Sequence, residues 1–212
     1  MKRVVSAVLS SVLWLSGAAF ATEYEEGIHY EPIVPKPPVA KVGEKVEVVE
    51  FFMYGCPHCF NFEPTVNAWL KRKADDVEFV RVPAMFGRHF NMHAKAYYAL
   101  EAIGALESVH ESFFVEIHEK RNALKSRESV DDFLRGQGVD MTRFSNAMDS
   151  FAVAAKANQA ASLLRRYGIK GVPALVIDGR YKSGRGLTFK DMVNMADQVV
   201  GDVREERRTA TQ

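Results

Sequence analysis

The sequence predicts an α/β fold in which an all-helical subdomain interrupts a small sheet. A strand-like segment, a helix-like segment and a second strand-like segment follow one another within residues 46–82. Residues 90–167 contain no convincing strand, and strand-like residues return at 174–182. Because the first three segments have the order and length of a βαβ unit, their strands should run parallel. The later strands then complete the sheet that the helices interrupt.

The composition is that of an ordinary globular protein. Of the 212 residues, 47% are hydrophobic and 26% are charged, which excludes disorder over the whole length. With 28 Lys and Arg against 27 Asp and Glu, the formal net charge is +1, and we expect no nucleic-acid partner. The two cysteines are too few for a disulfide-dense scaffold or for a four-cysteine zinc site.

Residues 1–21 have the pattern of a bacterial secretory signal peptide. Lys2 and Arg3 precede an apolar stretch over residues 4–16, and small residues follow at the positions that signal peptidase accepts. The alternative is a membrane anchor, but the apolar stretch is shorter than the roughly 20 residues that span a bilayer. We therefore expect cleavage after Ala21 and a periplasmic protein, in a compartment where cysteine pairs stay oxidised.

Each element of the first unit follows from its local pattern. Four prolines predict extended or turn backbone at residues 22–43, and therefore a lead-in arm rather than a helix. The nearly continuous apolar run at 46–53 is typical of a central strand that is covered on both faces. Apolar residues at helical spacing predict a helix over 56–73 with a kink at Pro64, and residues 77–82 are expected to form the second strand.

Caps and turns mark the elements that follow. In the helical section, Ser150 caps a long helix that is expected to end at Tyr167. Strands are predicted at 174–177 and 180–182, because Asp178-Gly179 between them is a strong hairpin signal. Thr188 through Asp191 (TFKD) then opens a last helix that ends near Val203, and the charged residues beyond it are expected to fray.

The motif Cys56-Pro57-His58-Cys59 lies directly after the first long strand and opens the first helix. At a helix start, this spacing places the first sulfur among unpaired backbone N–H groups, where the helix dipole favours a thiolate. Pro57 is pre-shaped for a first helical turn, and His58 can further stabilise the thiolate of Cys56. Since each effect favours the dithiol over the disulfide, the motif predicts a strongly oxidising, redox-active pair.

The two cysteines could also serve other purposes. A structural disulfide is possible, although so short a loop restrains the unfolded chain little. A metal site would need further ligands, which His89 and His93 could supply at i, i+4 spacing, but scattered surface histidines are the simpler account of these residues and of His110 and His118. Covalent haem attachment requires a histidine after the second cysteine, where this chain has Phe60.

The segments FFMYGCPHCFNFEP (51–64) and GVPALVIDGRY (171–181), with the all-helical stretch between them, resemble the DsbA family of periplasmic thiol:disulfide oxidoreductases. The likeness covers essentially the whole chain after the signal peptide. It implies a thioredoxin-like domain formed by residues 22–86 and 151–212, with the inserted helical subdomain at 87–150.

The resemblance also implies roles for individual residues. Cys56 is the exposed nucleophile and Cys59 its buried partner. Val172-Pro173 is the loop that faces the disulfide, with a cis peptide bond before Pro173, and its backbone binds an extended substrate peptide. Judged from the residues alone, the same segment is an ordinary strand-entry turn, because only a small fraction of bonds before proline are cis.

Glu50 is a candidate proton carrier. In the predicted strand it shares a face with Val48 and Phe52, so we expect it to be buried. A buried carboxyl has a raised pKa and can relay a proton to or from Cys59, and the resemblance also implies an acid in this place. The alternative is that Glu50 pairs with a base such as Arg81 on the neighbouring strand. Both roles can hold together.

The sequence thus predicts an exported dithiol oxidase that introduces disulfide bonds into newly translocated proteins through Cys56 and Cys59. Its partners are unfolded exported proteins with free thiols and, by the resemblance, a quinone-linked membrane reoxidant of the DsbB type. No cofactor or metal is needed, because the disulfide itself carries the electron pair, and we expect a monomer. An apolar groove beside the site could be formed by Met53, Met85, Phe86 and Phe90. Residues of these types more often belong to the core.

Three alternatives to this function stay open. One is a periplasmic thiol reductase or isomerase, although an isomerase with its own dimerisation domain does not fit the short segment between Ala21 and the first predicted strand. Another is a metal chaperone that holds a soft cation between the two cysteines and a histidine. The last is a binding module without catalysis, whose binding would survive the replacement of Cys56 by serine.

Overall fold

The structure is a computed structural model that describes residues 23–35 and 44–210. The predicted signal peptide lies outside these residues. Five strands form one sheet: β1 (Tyr30–Pro32), β2 (Val46–Phe52), β3 (Val77–Pro83), β4 (Ala174–Ile177) and β5 (Tyr181–Ser183). Their order in the sheet is β1-β5-β4-β2-β3. Within the described residues, no helix is long and apolar enough to cross a bilayer.

β2 is an interior strand of the sheet, between β4 and β3, and its run VEVVEFF is buried at every position except Glu47. It pairs in parallel with β3 and antiparallel with β4, so that Glu50 lies opposite Arg81 on one side and Leu175 on the other. The helix α1 (Pro57–Leu70) connects β2 to β3. The predicted βαβ unit is therefore confirmed, with a helix slightly shorter than expected. The kink at Pro64 stays a prediction.

Two layers of helices cover the sheet. On one face, α1 packs with the last helix, α7 (Phe189–Thr209), which also contacts β2, β4 and β5. Val48, Trp69 and Val199 belong to the core between them. The second core lies on the side of the helical section and contains Phe52, Phe113 and Leu134.

The helical section lies between β3 and β4 and has no strand in its described residues, as predicted. Its five helices are α2 (Arg88–Ala102), α3 (Leu106–His118), α4 (Arg127–Gly136), α5 (Met141–Met148) and α6 (Phe151–Arg166). Because α6 contacts α2 and α5, it packs with the helices that precede it. The α/β fold with inserted helices is confirmed, and the division at residues 150 and 151 stays a prediction.

The described part of the lead-in arm contains no helix, as predicted. It includes β1, which pairs antiparallel with β5; a strand of three residues is too short to show in a hydrophobic pattern. The prediction for the other end of the domain is wrong. The residues after Val203 do not fray, because α7 continues to Thr209. Arg207 is buried there and forms an ion pair with Asp178 at 2.7 Å. This tertiary contact stabilises a helix end that local sequence describes only as charged.

Candidate active site

The turn after β2 places Cys56 at the start of α1. Its backbone is extended (φ −94°, ψ 116°), and its N–H donates to the carbonyl of Met53 at 3.0 Å. Pro57 is the first helical residue, and both Pro57 and His58 are exposed. Cys56 is half-buried, whereas Cys59, one turn further on, is fully buried. A substrate thiol can therefore reach Cys56 but not Cys59.

The two thiols are free and have very different acidities. A hydrogen bond from Cys59 to the Cys56 sulfur contributes most to lowering the pKa of Cys56 to about 6, against the opposing effect of burial. The backbone N–H groups of Cys59 and His58 and the charge of His58 lower this pKa further. Burial, followed by the hydrogen bond and the charge of Cys56, raises the pKa of Cys59 far above its ordinary value. The pair thus holds one stable thiolate, at Cys56.

The Val172-Pro173 loop, which precedes β4, lies against the Cys56 thiol. In its thiol form, Cys56 Sγ donates a hydrogen bond to the Val172 carbonyl oxygen at 3.5 Å, and the Val172-Pro173 peptide bond is cis. The structure therefore brings together the two segments that the sequence separates by 116 residues. Substrate binding by this loop stays a prediction.

Glu50 is fully buried and makes the pairing that the sequence analysis considered. Its Oε2 accepts from Arg81 Nε at 3.1 Å. Burial nevertheless raises the pKa of Glu50 to about 7, because Arg81 offsets only part of the cost and the charge of Glu63 adds to it. The charge of Glu50 in turn helps to raise the pKa of Cys59. A carboxyl that is half protonated near neutral pH thus lies within electrostatic reach of the buried thiol.

A chain of buried polar groups that the sequence analysis missed extends from Glu50 to the turn before Cys56. Arg81 also donates to Glu63 at 3.1 Å, and Glu63 lies 3.5 Å from His110 Nε2. His110 Nδ1 is 2.7 Å from the Tyr54 hydroxyl. His110 and Arg81 lower the pKa of Glu63 against the effect of burial. The environment therefore raises the pKa of one carboxyl of this cluster and lowers that of the other.

The other histidines that were candidates for a metal site make hydrogen bonds and ring contacts away from the two cysteines, or have side chains that the structure does not describe. His118 Nε2 donates to the Tyr54 carbonyl at 2.7 Å, and its ring stacks on Phe60 with centroids 5.0 Å apart. His93 Nε2 donates to the Leu124 carbonyl at 2.9 Å. The side chain of His89 lies outside the described residues. Among the described residues, no group of three His, Cys, Asp or Glu side chains is arranged to hold a metal ion.

The four apolar groove candidates differ in exposure. Phe86 is 41% exposed, and Met85 packs against the core of the helical side. Met53 is partly buried in the turn before Cys56, and the side chain of Phe90 lies outside the described residues. An apolar groove built from these residues stays a prediction, which Phe86 supports best.

Comparison with known proteins decides the family. Residues 47–200 match the family model of the DSBA-like thioredoxin domain. The thiol:disulfide interchange protein DsbA of Burkholderia cepacia is 42% identical over 211 residues, which are 98% of this chain and 100% of that protein. The chain belongs to the DsbA family. It is thus a thiol:disulfide oxidoreductase, and the relationship supports the predicted role as a disulfide oxidase.

Solved DsbA structures have the same fold. The crystal structure of Pseudomonas aeruginosa DsbA matches with a TM-score of 0.80 and 36% identity, over 89% of this chain and 97% of that one. The crystal structure of DsbA from Xylella fastidiosa matches with a TM-score of 0.76 and 33% identity, over 84% of this chain and 96% of that one. The thioredoxin-like fold predicted from the sequence is therefore confirmed.

The acidity of Cys56 is directly measurable. Since its pKa is lowered to about 6 from an ordinary 9.0, the ultraviolet absorbance of the thiolate in the reduced protein should reach half of its change near pH 6. The lowered pKa stabilises the reduced fold by an amount that is complete above about pH 9, shrinks as the pH falls, and is lost once the pH has fallen through about 6. The Cys59→Ala variant lacks the sulfur donor and should titrate at higher pH. A Cys56→Ser protein provides the baseline, and a transition in it near pH 6 would assign the thiolate to Cys59 instead.

Proposed function

We propose that this DsbA-family protein oxidises dithiols of newly exported proteins in the periplasm and is itself reoxidised by a quinone-linked membrane protein of the DsbB type. One observation carries the proposal. An accessible cysteine whose pKa is lowered to about 6 lies beside a buried cysteine whose pKa is raised. Stabilising the thiolate of Cys56 stabilises the dithiol relative to the disulfide, which makes the disulfide a strong oxidant.

The reaction begins with the Cys56–Cys59 disulfide. A client thiolate attacks the Cys56 sulfur, the bond to Cys59 breaks, and a mixed disulfide between the client and Cys56 forms. A second client thiolate then attacks the client's own sulfur and expels Cys56 as a thiolate, whose low pKa makes it a good leaving group. The client has lost two electrons and the enzyme has gained them as its dithiol. The membrane partner accepts this electron pair, and the chain itself needs no further redox group.

Glu50 supplies the proton that Cys59 takes up as it leaves. The buried Cys59 is unstable as a thiolate because its pKa is strongly raised. Glu50 is partly protonated near neutral pH and close enough for its charge to act on this thiol. Proton transfer from a carboxyl whose pKa lies near the working pH accelerates the departure of such a thiolate. This assignment rests on burial and electrostatics.

Replacing Glu50 with glutamine tests this role. Below about pH 7 the variant should oxidise its client more slowly, by roughly tenfold, and it should lose the decline in rate that wild type shows as Glu50 ionises above that pH. Stopped-flow oxidation of a dithiol peptide across this pH range measures both effects. A variant whose pH profile equals that of wild type would show that Glu50 takes no part in the proton transfer.

The stability of the same variant provides an independent check. The pKa of Glu50 is raised from 4.5 to about 7, so the carboxyl destabilises the fold progressively as the pH rises between these values. We therefore expect Glu50→Gln to be more stable than wild type near pH 8, by roughly 2 kcal/mol, and equally stable near pH 5. Urea unfolding at the two pH values measures the difference.

The proposed direction of electron flow is tested with the oxidised protein as the only oxidant. Mixed with a reduced, unfolded protein that has two cysteines, it should form about one client disulfide for each enzyme disulfide consumed. In the opposite arrangement, the reduced protein should leave an already oxidised, stable client disulfide almost intact. Efficient reduction of that client would favour the reductase alternative.

A further inference from the structure

A cleft of about 670 Å³ begins at the active-site loop and has a basic rim. Its walls include His58 and the Val172-Pro173 loop, and it continues along the segment between β5 and α7. Of the Lys, Arg, Asp and Glu residues among those walls, three are basic and one is acidic: Lys170, Lys182 and Arg185 against Glu31. The cleft that adjoins the Val172-Pro173 loop therefore carries an excess of positive charge.

Only one of these cations is neutralised by the acidic residue. Lys182 Nζ lies 3.3 Å from the Glu31 carboxylate. Lys170 and Arg185 are exposed, and within the described residues neither forms an ion pair with a carboxylate. Since the whole chain has only one more basic than acidic residue, this excess is a local feature of the cleft and does not reflect the net charge of the protein.

The two unpaired cations lie on backbone that the fold holds in place. Lys170 lies two residues before Val172, so the Cα atoms of these two residues are within about 7 Å of each other. The Val172 carbonyl is the group that accepts a hydrogen bond from the Cys56 thiol. Arg185 follows Gly184, whose N–H donates to the His29 carbonyl at 2.8 Å. A Cβ at Gly184 would lie only 2.7 Å from that same oxygen, so the loop and the N-terminal turn pack directly together.

We propose that this cleft selects client segments with an acidic side chain close to the reacting cysteine. The proposal rests on the proposed oxidase function and adds the chemistry of its preferred client. A neighbouring carboxylate raises the pKa of a client thiol and slows its attack. Lys170 and Arg185 pair with that carboxylate, bind the segment and restore the acidity of the thiol. Electrostatic complementarity of this kind acts mainly on selection and on the rate of encounter.

Three dithiol peptides that differ only in the residues flanking the first cysteine test the preference. The flanking residues are aspartates, serines or lysines, and the readout is kcat/KM for oxidation by the full oxidised protein. We expect the aspartate peptide to exceed the lysine peptide by about tenfold at low ionic strength and by about twofold near 0.5 M salt, because salt screens exposed charges. Equal values for the three peptides at low salt would overturn the proposal.

A pair of double variants separates the cleft from net charge. In K170E/R185E the ratio of aspartate to lysine peptide should fall below one. The control K71E/K125E has the same change in net charge at exposed positions, Lys71 at the end of α1 and Lys125 just before α4, and it should keep the wild-type ratio. A control that shifts the ratio as far as K170E/R185E would contradict the assignment to the cleft. If no peptide is oxidised, the oxidase function itself fails, which is distinct from a loss of preference.

Discussion

Replacing Cys59 with alanine is expected to convert the catalyst into a trap. The Cys56 thiolate of this variant can still attack an oxidised client or oxidised glutathione, but no second thiol is present to release the adduct. Oxidation of dithiol clients should fall by at least about a thousandfold while mixed disulfides at Cys56 accumulate. Non-reducing electrophoresis and mass spectrometry measure the adduct.

The Cys56→Ser protein is the matched control for this experiment. It should lose as much activity and yet form almost no adduct, because Cys59 is fully buried and its pKa is strongly raised. Adducts of similar yield in both variants would contradict the division of roles between the cysteines. Retained client oxidation in Cys56→Ser would contradict the whole thiol-exchange mechanism.

Replacing Arg81 with methionine should lower the free energy of unfolding more than replacing Glu50 or Arg72 does. Arg81 donates to both Glu50 and Glu63, at 3.1 Å in each case, and all three side chains are largely buried. Its removal leaves two buried carboxyls without this cation, which costs roughly 3–5 kcal/mol. The pKa values of both carboxyls then rise, so the loss should be greatest near pH 8 and should shrink near pH 5 as the carboxyls protonate.

Two further variants show whether burial is the cause. Arg72 forms an exposed ion pair with Asp197 at 2.6 Å, and Arg72→Met should cost less than about 1 kcal/mol. Adding Glu50→Gln to Arg81→Met should recover part of the stability, because one uncompensated carboxyl disappears. Urea unfolding at both pH values provides all the comparisons. Equal losses for the two arginine variants, or a loss for Arg81→Met that does not change with pH, would contradict this account.

The parts of the molecule that local sequence determines were predicted well. The βαβ unit and the position of Cys56 are predictable from the apolar run at 46–53, the CPHC motif and the strand-like segment at 77–82. The spacing of hydrophobic residues and the residue preferences at a helix start both act over a few residues, so they can be recognised in the sequence alone. The pairing of Glu50 with Arg81 was also within reach, since the unit makes their strands neighbours. Glu63 could also have been predicted as a member of this buried charged cluster, because it lies one turn after Cys59 on the buried side of α1.

Other features depend on contacts that no local pattern encodes. The contact between His110 and Tyr54 joins residues 56 positions apart and depends on how α3 packs beside the turn before Cys56. The strand β1 pairs with β5, which lies about 150 residues further along the chain. Likewise, the last turns of α7 carry Arg207, which forms an ion pair with Asp178 and donates to the Glu44 carbonyl. Such features follow from tertiary packing, which overrides weak local preference.

The redox equilibrium of the Cys56–Cys59 pair with glutathione tests the central claim most directly. Thiol trapping of the protein at a series of glutathione ratios gives the fraction oxidised at each. The stabilised Cys56 thiolate predicts a strongly oxidising potential of roughly −120 mV, a magnitude taken from DsbA itself. A value of roughly −270 mV, as in thioredoxin, would contradict the oxidase function and identify the protein as a reductase.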